Sequence, residues 1–178
     1  MARQIVLLRG INVGTAKRVA MGDLRTLLGE AGYGDVRTHL QSGNVLLDAR
    51  VSGDRLARAL EQLLEERLGM TIAVIVRTRD ELADVVAHNP LGDVADDPRR
   101  HQVSFLSAAP DPAVVERIEQ AVVAPERIAF HGREIYVWHA NGIQNSPAAK
   151  LLADRRLGVT ATTRNWNTVT KLLELATV

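Results

Sequence analysis

The sequence predicts an α+β fold in which a βαββαβ unit occurs twice in tandem, each copy with an antiparallel sheet, followed by one extra C-terminal helix. Three observations carry this. Short apolar runs of strand length alternate with longer stretches whose apolar residues recur at helical spacing. Each half holds two strands joined by a tight polar turn, residues 41–44 in one and Gly132-Arg133 in the other, and strands joined so closely pair antiparallel. The order of elements in residues 1–78 then recurs in residues 101–164.

Residues 4–9 form a buried-type strand of Ile, Val and Leu. After a loop, Met21, Leu24, Leu27, Leu28 and Ala31 fall at helical spacing, and Gly32 and Gly34 stop the helix. Residues 35–40 read as a second strand and 45–49 as a third. Leu56, Leu60, Leu63, Leu64 and Leu68 make an amphipathic stripe closed by Gly69, and residues 71–77 are a fourth strand. That order is ferredoxin-like. In the second half, residues 101–107 are a strand, and Val114, Val115, Ile118 and Val122 a helix opened by Pro112. Residues 128–131 and 135–139 make the hairpin, 147–157 a helix and 160–163 a short strand. Residues 79–88 read as a connecting helix and 89–100 as a polar linker. The expected organisation is thus residues 1–78, a connection over 79–100, and residues 101–178, where Trp166, Val169, Leu172, Leu173 and Ala176 give the extra helix one apolar face.

Composition excludes several functions. A net charge of +1 argues against broad electrostatic adhesion to nucleic acid or anionic membrane. Aromatic residues at 3% count against a base-stacking sheet, without excluding RNA. With no cysteine there is no disulfide, thiol nucleophile or thiolate metal site. The apolar run before Arg9 is too short for a signal peptide, and nowhere do 18 apolar residues occur together, so a soluble cytoplasmic protein without a membrane segment is expected. Of 22 basic residues only Lys17, Lys150 and Lys171 are lysine, which singles out positions where a compact point charge is kept despite a strong preference for arginine.

The most distinctive stretch is L-L-R-G-I-N-V-G-T-A-K, residues 7–17. A strand ending in a Gly-rich loop leaves backbone N–H groups unpaired, and Arg9 and Lys17 beside them make an anion cradle. Gly10 and Gly14 equally suit left-handed backbone, and Asn12 a turn. Neither G-x-x-x-x-G-K-[ST] nor G-x-G-x-x-G is met. In Q-S-G-N, residues 41–44, Ser42 and Asn44 are expected to project from one hairpin turn. In R-N-W-N-T, residues 164–168, Asn165 suits a helix N-cap with Trp166 on the apolar face, and Arg164 sits where a helix start gathers positive potential. Lys17 and Arg164 are expected to be exposed cations that bind rather than stabilise.

Other constellations are weak. His39, His88, His101, His131 and His139 lack metal-ligand spacing, so no metal or other cofactor is expected. Ser146 and Lys150 are one residue too far apart for S-x-x-K, and G-x-S-x-G does not occur. No general base or nucleophile stands out, which leaves catalysis open.

The blocks L-L-R-G-I-N-V-G, M-G-D-L-R-T-L-L, Q-S-G-N-V and T-R-N-W-N-T-V-T-K-L, in that order, resemble the bacterial Domain of Unknown Function 1697 family along essentially the whole chain. The resemblance implies a duplicated ferredoxin-like fold and no agreed activity. Its motifs map onto Arg9, Gly10, Asn12, Gly14 and Lys17, then Gln41, Ser42, Gly43 and Asn44, then Arg164, Asn165, Trp166, Asn167 and Lys171. Where members often carry a further lysine after the first loop, this chain has Ala20.

Two functions follow as expectations. In one, a small anionic, phosphate-bearing ligand is held by Arg9, Gly10, Asn12, Gly14, Lys17, Ser42, Asn44, Arg164, Asn165, Asn167 and Lys171, converging on one pocket. In the other, open sheet faces bind a macromolecule, a protein partner or RNA.

Overall fold

The computed structural model describes residues 1–153 and 157–178. Its contacts divide the chain into two compact units, unit 1 of Met1–Asp84 with Lys171–Val178, and unit 2 of Val85–Thr170.

Unit 1 runs β1 (Ala2–Leu8), α1 (Met21–Glu30), β2 (Gly34–His39), β3 (Asn44–Ala49), α2 (Gly53–Leu68) and β4 (Val74–Thr78). The sheet order is β2-β3-β1-β4, every pairing antiparallel, so β1 is central, with Val6 opposite Val45 on one side and Val76 on the other. Period-2 alternation sends Val6, Leu8, Val45, Leu47, Val74 and Val76 toward Leu24, Leu27 and Leu28 of α1 and Leu56, Leu60 and Leu64 of α2. Each buried leucine contributes about 2 kcal/mol relative to exposure. The helix α2 ends where expected: Gly69 takes a left-handed φ of 65° and donates its N–H to the Glu65 carbonyl at 2.9 Å.

Unit 2 repeats the plan. The helix α3 (Arg79–His88), in which the division between units falls, leads through residues 89–100 to β5 (His101–Leu106), α4 (Pro112–Ala121), β6 (Arg127–His131), β7 (Glu134–Trp138), α5 (Pro147–Ala153) and β8 (Ala161–Asn165). The sheet order β6-β7-β5-β8 mirrors that of unit 1 and is again antiparallel throughout. Leu106, Ile118, Ile135, Val137, Ala148 and Leu157 form its core. Asp111 caps α4 by accepting the Ala113 N–H at 2.8 Å, with Pro112 in the first turn as the sequence signalled. The last helix, α6 (Trp166–Thr177), carries its first five residues in unit 2 and the rest in unit 1.

Three expectations shift. The fourth strand, expected over residues 71–77, is Val74–Thr78. Of the helix expected over residues 147–157, Pro147–Ala153 is seen, and residues 154–156 lie outside the described residues. The strand expected to stop at Thr163 runs on through Arg164 and Asn165, because Gln102 of β5 still has a partner at Asn165. Ladder pairing there outweighs the poor strand propensity of Asn.

Candidate functional site

The loop after β1 is the best-defined polar feature of unit 1. It leaves the sheet from a fixed point: the Leu8 N–H donates to the Gly43 carbonyl and the Arg9 N–H to the Ala73 carbonyl, both at 2.9 Å. Left-handed backbone then recurs at Gly10 (φ 68°), Asn12 (54°), Gly14 (60°) and Lys17 (48°). Asn12 closes the loop. Its Oδ1 accepts the Val19 N–H at 2.9 Å, and its Nδ2 donates to the Val19 carbonyl at 2.8 Å and to the Gln41 carbonyl at 2.7 Å. Its own N–H donates to the Lys17 carbonyl at 3.0 Å. Both side-chain amide hydrogens are therefore spent on the fold, one of them joining the loop to the 41–44 turn. Lys17 is exposed and donates from Nζ to the Thr71 carbonyl at 2.6 Å; Arg9, at the start of the loop, is also exposed. Among the described residues no protein acceptor meets the N–H of Gly10 or Gly14.

The 41–44 turn differs from expectation at one position. Ser42 is exposed, but Asn44 does not project: it is fully buried, donating from Nδ2 to the His39 carbonyl at 2.9 Å and the Ser42 hydroxyl at 3.0 Å. The cause is register, since Asn44 already pairs with Leu7 in the sheet. Lys171 of α6 belongs to the same unit. It pairs with Glu174 at 2.7 Å, and its charge, after burial, helps hold the His39 imidazole below its ordinary pKa. Unit 1 thus gathers the 9–17 loop, the 41–44 turn and Lys171.

Arg164, Asn165 and Asn167 stand in unit 2. Arg164 is not an exposed cation. It is 8% exposed within β8 and donates from Nη1 to Thr162 Oγ1 at 2.8 Å and the Thr163 carbonyl at 2.9 Å, and burial pulls its pKa down to about 10. Asn165 is the N-cap of α6, accepting the Thr168 N–H on Oδ1 at 2.9 Å, and Trp166 stacks on His101 with ring centroids 4.5 Å apart. Asn167 is exposed and lines a cavity of about 580 Å³ with Asp96, Asp97, Arg99 and Arg100, where the charges balance and Asp97 already holds Arg99 at 3.0 Å. In unit 1 a cavity of about 350 Å³ between α2 and residues 71–73 meets one cation, Arg58, with two carboxylates, Glu61 and Glu65, and so disfavours an anion.

Sequence reasoning missed a buried polar cluster in unit 2 joining Gln102, Glu126, His139 and Ser146. His139 closing a strand and Ser146 before Pro147 were visible signals; Glu126, after an exposed loop, was not. Among the described residues no three His, Cys, Asp or Glu side chains could hold a metal ion, and no helix is long and apolar enough to cross a membrane.

A duplicated α+β protein with a cationic loop at the end of one central strand is the class these features define. The chain belongs to the family described as Protein of unknown function (DUF1697), whose match spans residues 1–136. It is similar in fold to the conserved bacterial protein SP0830 from Streptococcus pneumoniae, with 22% identity, 98% of each chain covered and a TM-score of 0.81. No curated protein matches it in sequence.

Proposed function

We propose that unit 1 binds a small anionic, phosphate-bearing ligand on the loop after β1. The observation that supports this most is the pairing of unmet donors with exposed charge on a rigid frame. Gly10 and Gly14 offer free N–H groups, Arg9 and Lys17 offer cations, and the three side-chain bonds of Asn12 hold the loop in shape before any ligand arrives. Ser42 adds a hydroxyl from the neighbouring turn and Lys171 a third cation in the same unit. In this reading Asn12 and Asn44 shape the site, while Arg9, Lys17 and the glycine N–H groups contact the anion. Binding needs no metal and no cofactor, and whether a reaction follows depends on the ligand.

The macromolecule reading needs an open sheet face. On β1 both faces are buried, Val6 and Leu8 on one and Ile5 and Leu7 on the other, and on β7 Tyr136 and Val137 are equally hidden. The central strands therefore offer no face, and this reading would rest on the edge strands β2 and β6, which are only partly buried.

A thermal-shift and calorimetric screen with inorganic phosphate, sugar phosphates and nucleotides tests the proposal, with neutral analogues as controls. A ligand at a hundred times its Kd should add roughly 2.7 kcal/mol of stability. Lys17→Ala and Arg9→Ala should each weaken binding tenfold or more and shift the unliganded melting temperature by only about a degree, since exposed cations contribute about 0–1 kcal/mol. Binding that survives both substitutions, or no saturable response to any phosphate compound, overturns it.

A further inference from the structure

The cavity of about 350 Å³ in unit 1 shares a wall with the cationic loop. Thr71 and Ala73 line it, and the same two residues hold the loop. The Thr71 carbonyl accepts a hydrogen bond from Lys17 Nζ at 2.6 Å, and the Ala73 carbonyl accepts the Arg9 N–H at 2.9 Å. The cavity therefore begins where the loop is fastened.

Across from that wall stands α2. Arg58, Glu61 and Glu65 recur at intervals of three and four and so share one face of the helix. Glu61 is partly buried and accepts the Val74 N–H on Oε1 at 2.9 Å, which leaves its second oxygen for the cavity. The Glu65 carboxylate is exposed and makes no hydrogen bond or ion pair among the described residues. Arg58 lies seven residues before Glu65, about 10 Å away along the helix axis. Its charge thus sits at the far end of the cavity. Glu65 stands in the last turn of α2, whose Gly69 cap leads the chain back to Thr71.

Opposite charges therefore flank residues 71–73 without neutralising each other. Residues 9–18 supply Arg9, Lys17 and Arg18 and no carboxylate. Lys17 bonds a neutral carbonyl rather than either glutamate. A simple anion is drawn to the loop and repelled by the cavity, whereas a molecule with a negative and a positive end satisfies both. Other occupants of the cavity fit less well. A divalent cation such as calcium takes six or more oxygens, and here two carboxylates, one already bonded to Val74, share the cavity with an arginine. A nucleobase stacks on aromatic side chains, and the cavity has none among the described residues.

We propose that the ligand of unit 1 is a phosphate monoester that also carries a primary amine, as a phosphorylated amino sugar or aminoalcohol does. Its phosphate lies on the 9–17 loop and its ammonium group in the cavity, against Glu65 and the free oxygen of Glu61. This rests on the anion reading of the loop and adds the ligand's second end. Charge-assisted contacts at both ends fix orientation as well as affinity.

Calorimetry on the intact chain at neutral pH compares two pairs of probes, glucosamine 6-phosphate with glucose 6-phosphate and phosphoethanolamine with glycerol 3-phosphate, alongside inorganic phosphate. In at least one pair the amine should bind roughly fivefold tighter than its neutral counterpart, the upper end for a solvent-accessible charge pair. Glu65→Gln should erase that preference and leave inorganic phosphate unchanged. Lys17→Ala should weaken every phosphate compound and keep the preference. Both side chains are exposed, so neither substitution disturbs the core. Phosphate compounds that bind through Lys17 with no preference in either pair overturn the amine end and leave the anion site standing. A preference that survives Glu65→Gln overturns it as well. If no phosphate compound binds, both readings fall.

Discussion

Asn12 replaces a missing stretch of ladder with its side chain, meeting both the N–H and the carbonyl of Val19 as a paired strand would, and the turn it reaches across to depends on a glycine. Gly43 has φ 86°, and a Cβ built on it would lie 2.8 Å from Leu8 Cβ and 2.9 Å from Ile11 Cδ1. Both neighbours are fully buried, so they have no room to give way. Gly43→Ala should destabilise unit 1 by about 2–3 kcal/mol, combining left-handed strain with overpacking; equilibrium urea unfolding measures it, and a loss under 1 kcal/mol would show that the turn yields. Residues such as Gly10, Asn12 and Gly43 were legible as turn formers because left-handed backbone admits few residue types. Whether a cation is exposed was not legible. Arg9 and Arg164 both follow a strand read from the sequence, yet one sits in solvent and the other is sealed within β8 by a ladder that composition does not announce.

At the level of elements, helices with strong apolar stripes and Gly or Pro punctuation came through well, as α2 with Gly69 and α4 with Pro112 illustrate. Strand ends did not, because pairing partners rather than local residues decide where a strand stops. The start of α1 shows a local choice that tertiary structure overrides. Its N-cap is Ala20, with extended φ and ψ of −72° and 132° and no side-chain bond to the helix. The packing of Met21, Leu24, Leu27 and Leu28 sustains α1 without a cap. Ala20 is exposed, so a hydroxyl can be added there without disturbing the core. Ala20→Ser should therefore raise stability by about 1 kcal/mol through a bond to the first-turn N–H groups. A melting temperature that does not rise would mean that the loop before α1 cannot present the side chain to them.

For the molecule as a whole, duplication made the fold readable: two halves that repeat the same order of elements support one another as evidence, and both yield the same antiparallel strand order. Duplication of topology did not carry duplication of chemistry. The cationic loop belongs to unit 1, whereas the buried histidines belong to unit 2, where His101 is stacked on Trp166 with no partner for Nε2. Burial, together with the charge of His139, pulls His101 down to about 4. A histidine whose folded pKa is depressed contributes nothing adverse above its unfolded value near 6.5, and a growing penalty as pH falls from there to the folded value. For His101 that penalty approaches roughly 3 kcal/mol at pH 4, at about 1.4 kcal/mol per unit. His139 is displaced in the same direction. Unit 1 has one such group, His39, and it is only partly buried. The carboxylates Asp35, which is exposed, and Asp97, which is partly buried, are held below the usual range by Arg3 and Arg99, so their ion pairs are lost only below the ordinary carboxylate range. Acidification from pH 7 to pH 5 should thus weaken unit 2 before unit 1. Amide exchange in β5 and β7 should accelerate beyond the intrinsic change while β1 and β3 hold, and His101→Phe, which keeps a ring against Trp166 without a proton site, should reduce the acceleration. Equal loss of protection in both sheets would place the acid-labile groups elsewhere.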